Sequence, residues 1–150
     1  MRAVYKWIWT LVVVAVVCQV GFAAYGSFYA AHKVDDSTSD PKTITSHQFE
    51  HGFGLHSVGA VVIIVLALAL LIVSLVGDYG RFRLGRAGIL ALLIVLQVVL
   101  AGIAFAVPAI GFLHAVNALV IFSFAGWSAR AEWLASRAAG SGSVVEPAAV

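Results

Sequence analysis

Two histidines stand near the start of long apolar runs, in related surroundings. Gly54-Leu55-His56-Ser57-Val58-Gly59-Ala60-Val61-Val62-Ile63 is echoed by Phe112-Leu113-His114-Ala115-Val116-Asn117-Ala118-Leu119-Val120-Ile121. The shared pattern is L-H-x-V-x-A-x-V-I. An ionisable side chain inside an apolar segment is costly and usually marks function. Imidazole is also the commonest protein ligand for metals. His56 and His114 are therefore read as a facing pair of metal ligands inside a membrane bundle. Asn117 lies three residues past His114, on the same helix face, and Gly59 holds the matching place past His56. The missing side chain at Gly59 would let a flat ring approach the backbone. Asn117 could bond a ring substituent, a water or Gln97.

The elements that position these residues follow from composition. Of 150 residues, 62% are hydrophobic and 11% charged, against about 45–50% and about 25% in soluble domains. A small soluble domain cannot hide that surplus, so the chain reads as an integral membrane protein. Four apolar runs, at about 7–29, 53–76, 87–107 and 111–127, match the roughly 20 helical residues that cross a bilayer. The fold class expected is all-α, an integral membrane four-helix bundle. Residues 1–137 form the transmembrane domain, and 138–150, with Gly-Ser-Gly and Pro147, a disordered tail.

Charge sets the orientation. Arg2 and Lys6 precede the first run, Arg81, Arg83 and Arg86 fill the short loop after the second, and Arg130 and Arg137 follow the fourth. Asp35, Asp36, Asp40 and Glu50 lie in the longer first loop, against Lys33 and Lys42. The positive-inside rule then puts both termini in the cytoplasm, for a multi-pass protein of the inner (plasma) membrane. Cys18 and Met1 are the sole cysteine and methionine, which excludes an internal disulfide and a Met ligand from within the bundle. The net charge of +2 carries no basic patch of the kind that binds nucleic acid.

The echo extends to the other two helices. Val17-Cys18-Gln19-Val20 in the first matches Val95-Leu96-Gln97-Val98 in the third. The chain thus reads as two helical-hairpin repeats, each a glutamine helix followed by a histidine helix. Both histidine helices run from outside to inside, so the imidazoles come level near the outer face. An iron porphyrin between two imidazoles is a familiar use of such a pair. Gln19 and Gln97, amides in lipid, must find partners and so face the interior. Gly21, Gly26 and Gly102 are expected at helix contacts.

Plainer readings compete. The histidines could only fasten helices in a cofactor-free scaffold or accessory subunit. A small transporter lined by the polar residues ranks lower, because four helices leave little room for a pore. His32 and His47 read as surface residues. His51 could cover the cofactor edge, relay protons or replace His56, and Glu50 reads as a solvated carboxylate. A zinc site of His47, His51 and Glu50 matches no familiar spacing. No nucleophile with its base, phosphate loop or paired carboxylates is present, so no catalytic residue is assigned.

At these residues the chain resembles known families. Gln97-x-x-Leu-Ala-Gly102 and the histidines of helices two and four are similar to one four-helix half of haem A synthase. Phe53-x-x-His56-x-x-Gly59 and His114-x-x-Asn117-Ala118-Leu119 resemble small bacterial four-helix membrane proteins of the DUF6220 type. The resemblance spans roughly residues 4–131. It implies haem b held by His56 and His114, with Asn117, Gln97, Gln19 and Gly59 around it. Phe53 and Ser57 stand where haem A synthase has Glu and Arg, so what carries over is haem binding rather than haem oxidation. The partners implied are the lipid bilayer and a redox protein or quinone, with a homo-oligomer left open.

Overall fold

Each apolar run is a helix, and the helices extend beyond the runs. The structure is a computed structural model describing residues 2–39, 41–77 and 80–141. Its elements are α1 (Arg2–Asp35), α2 (Ser46–Val76), α3 (Gly80–Ala106) and α4 (Ile110–Ser141). All four are long and apolar enough to cross a membrane, the build of a multi-pass membrane protein. At 1.5 Å per residue, the 34 residues of α1 cover about 51 Å, well beyond a hydrocarbon core of about 30 Å.

Three boundaries differ from expectation, each for a local reason. Helix α2 starts at Ser46 rather than near residue 53 because Thr45 caps it. Gln48 N donates to Thr45 Oγ1 at 3.2 Å, and Thr45 N donates to Gln48 Oε1 at 2.9 Å. This reciprocal box satisfies two orphan helix N–H groups. Helix α3 starts at Gly80, so Arg81, Arg83 and Arg86 belong to its first turns rather than to a loop. Gly80 has φ +76, a left-handed conformation that glycine adopts without strain. Helix α4 runs to Ser141, four residues into the stretch expected to be disordered, and the rest of that stretch lies outside the described residues.

Each helix packs against two neighbours. Helix α1 lies beside α2 and α4, and α3 beside α2 and α4, with α2 and α4 facing each other across the diagonal. The buried stripe of α4 is Asn117, Ile121, Ala125, Ser128 and Glu132, at helical spacings of three and four. Helix α2 turns Ile63, Ala67, Leu70 and Ser74 inward. Val14, Val20, Leu68, Ile72 and Leu92 stay more than half exposed, and so does the outer face generally. Helices apolar all round are suited to lipid. The interior has three layers: polar around His56 and His114, apolar in the middle, and charged where α1 starts and α4 ends.

Candidate functional site

The two imidazoles meet across the bundle diagonal. Their ring centres are 6.3 Å apart and their planes are inclined by 60°. His56 is the tenth residue after Ser46 and His114 the fourth after Ile110. They come level because α2 begins farther out, not because each lies one turn into its helix.

Each imidazole is anchored by Nδ1. His56 Nδ1 lies 3.3 Å from the carbonyl oxygen of Gln19, and His114 Nδ1 3.1 Å from that of Gln97. A carbonyl can only accept, so in the neutral imidazole the proton sits on Nδ1 and the lone pair on Nε2. Metal-ligating histidines commonly bond a carbonyl through the other nitrogen in this way.

The two hairpins then diverge. In the second, Gln97 Nε2 donates to His114 Nε2 at 3.0 Å. Asn117 Nδ2 donates to Gln97 Oε1 at 2.7 Å and to the Leu93 carbonyl at 2.9 Å. Of the partners open to Asn117 from the sequence, the structure takes Gln97. In the first, Gln19 Nε2 donates to the main-chain carbonyl of His56 at 2.9 Å. Gln19 Oε1 is buried with no partner, and among the described residues nothing bonds His56 Nε2. Gly59 makes this arrangement possible, since a β-carbon there would stand 2.9 Å from Gln19 Oε1. The space beside Gly59 therefore holds the Gln19 amide rather than room for a flat ring. All six sequence-derived residues thus share one layer.

The outlying candidates lie apart from it. His51 packs its ring against Tyr29, with centres 5.4 Å apart, and does not join His56. Glu50 is exposed beside Phe49 and Phe105 in a shallow hollow. Among the described residues no three His, Cys, Asp or Glu side chains come together as a metal site, so His47, His51 and Glu50 form none.

Sequence reasoning missed a second polar cluster at the other end. Arg83 Nε lies 3.1 Å from both oxygens of Glu132, and Arg83 Nη2 2.7 Å from Oε2. Arg86 Nη2 donates to Glu132 Oε1. Phe82 and Trp127 flank the Arg86 guanidinium at 5.0 and 5.7 Å. Among the described residues, Arg86 Nε and Nη1, Ser128 Oγ and Trp9 Nε1 are buried without hydrogen-bond partners. The legible signal was Glu132 itself, an acid in register with the inward stripe of α4. Nearby, Trp133 Nε1 donates to Thr10 Oγ1 at 3.1 Å, and Lys6 lies 4.0 Å from the Trp133 ring centre, tying α4 to α1.

No protein-family model, curated protein or solved structure matches the chain.

Proposed function

We propose that this chain is a membrane haem b protein in which His56 and His114 ligate one iron near the outer face. The observation that carries the reading is the pair of Nδ1-anchored imidazoles facing each other at 6.3 Å between ring centres. With metal–nitrogen bonds of about 2 Å, two imidazoles on opposite sides of one metal would have centres roughly 6 Å apart. The donor set fits in part: His56 Nε2 is free of hydrogen bonds among the described residues, His114 Nε2 would have to exchange its bond from Gln97 Nε2 for the metal, and no charged side chain there is bonded to either ring.

When bound, haem would supply one-electron redox chemistry, and two axial imidazoles suit electron transfer over oxygen chemistry. The chain's own residues orient the imidazoles through the Gln19 and Gln97 carbonyls. The matched Gln–His bonds favour descent from a duplicated hairpin. The cationic end, with Lys6, Arg81, Arg130 and Arg137, is assigned to the cytoplasm, and the partner is a redox protein or quinone at the membrane.

Purified in detergent and reconstituted with haemin, the protein should show a Soret band and sharp α and β bands on reduction. The His56→Ala/His114→Ala double variant should lose them. A wild-type protein that stays colourless rejects the proposal.

A second reading has its own support. The reciprocal Gln19–His56 bonds and the Gln97–His114–Asn117 network fasten neighbouring helices without any cofactor. A colourless protein whose stability falls in both histidine variants would establish that scaffold role.

A further inference from the structure

We infer that the two histidines are unequal ligands: His56 stands ready, and His114 is latched by Gln97 and Asn117. The inference rests on the haem-binding reading. His56 Nε2 has no hydrogen-bond partner among the described residues, so ligation there breaks no bond. His114 Nε2 accepts from Gln97 Nε2 at 3.0 Å, and that lone pair cannot serve a metal as well.

The latch is held from behind. Asn117 pins Gln97 Oε1 at 2.7 Å, so the carboxamide cannot swing aside without losing that bond too. The equivalent place in the first hairpin is Gly59, which has no donor to offer. Gln19 instead turns its amide nitrogen to the His56 carbonyl, 2.9 Å away. One difference, Asn117 against Gly59, accounts for an open ligand on one side and a closed one on the other.

Freeing His114 costs the half-buried Gln97 amide its hydrogen bond, which weights the latched form by roughly two- to tenfold. With haem bound, His56 would be the lasting ligand, and His114 would compete with a small neutral ligand such as carbon monoxide.

The test reconstitutes wild type, His56→Gly, His114→Gly and Asn117→Gly with haemin, and reads haem dissociation, spin state and carbon monoxide affinity of the reduced protein. His56→Gly should release haem at least tenfold faster than His114→Gly, which keeps a five-coordinate spectrum. Imidazole added to His56→Gly should restore retention, separating ligand loss from misfolding. Asn117→Gly should raise the low-spin fraction and weaken carbon monoxide binding roughly tenfold, because His114 competes better once unlatched. Equal haem loss from the two histidine variants, or an Asn117→Gly protein that binds carbon monoxide as wild type does, overturns the inference while leaving the haem reading intact. A wild type without a Soret band overturns both.

Discussion

The Gln19 carboxamide fills the place that a side chain on residue 59 would take, with its oxygen 2.9 Å from the position of a β-carbon on Gly59. That close approach lets Gln19 reach the His56 carbonyl while His56 reaches back to the Gln19 carbonyl. Gly59→Asn, which copies the residue of the second hairpin, should therefore fail to copy its network. The added side chain must displace Gln19, and overpacking of this kind costs about 1–3 kcal/mol. Unfolding in mixed detergent micelles should show that loss. A Gly59→Asn protein as stable as wild type would mean that Gln19 is not confined there.

Glu132 is bonded to both Arg83 and Arg86, and it is almost fully buried. Glu132→Gln would leave Arg86 buried without its counter-charge, so it should be the most damaging single substitution, by about 3–5 kcal/mol. Combining Arg86→Met with Glu132→Met should recover part of that loss, because a buried ion pair is often no better than a packed apolar pair, while Arg83 still loses its bonds to Glu132. A double-mutant cycle on unfolding free energy measures the coupling. Additive losses would show that the pair does not act as a unit.

The sequence made the four helices legible because apolar runs of about 20 residues have few other uses. Their ends were harder. Residues 46–52 look polar enough for a loop, yet the Thr45–Gln48 box commits them to α2. The arginines after Gly77 also look like a linker, since charge alone cannot distinguish an exposed arginine from one paired inside. Gly80 restarts the helix at once and turns Arg86 onto Glu132. The candidate site was legible as residues through the repeated L-H-x-V pattern. Its bonding was not, because a carboxamide is nearly symmetric in shape. Which way Gln19 and Gln97 turn depends on the donor opposite, Gly59 or Asn117. Gly21 and Gly102, expected at helix contacts, have no neighbour within 4 Å of a would-be β-carbon.

Where α1 and α2 cross, rings stand directly over glycines. A β-carbon on Gly52 would lie 2.8 Å from Tyr29 Cδ1 and 3.4 Å from the Gly26 carbonyl, and one on Gly26 would lie 2.8 Å from Phe53 Cδ1. Gly52→Leu should pry the two helices apart and lower stability by about 1–3 kcal/mol. Gly85→Leu, on an open surface of α3, should change little and serves as the matched control. Thermal unfolding followed by circular dichroism in detergent separates the two. Equal effects would mean that the cost comes from losing glycine rather than from crowding at the crossing.

The orientation proposed from charge can be read chemically because the chain has a single cysteine. Cys18 is exposed and forms no bond among the described residues, so Cys18→Ser should be neutral within about 0.5 kcal/mol. In that background, Thr38→Cys marks the linker between α1 and α2, and Ala139→Cys marks the last turns of α4, both at exposed positions. The linker side carries Lys33 and Lys42 among Asp35, Asp36 and Glu50, whereas the other end carries more cations, Lys6, Arg81, Arg130 and Arg137. Cationic ends stay on the cytoplasmic side during insertion. A membrane-impermeant maleimide should thus label Thr38→Cys in intact cells and Ala139→Cys only after permeabilisation. The reverse pattern would place the histidine layer near the cytoplasmic face, and with it any redox partner that reaches the site.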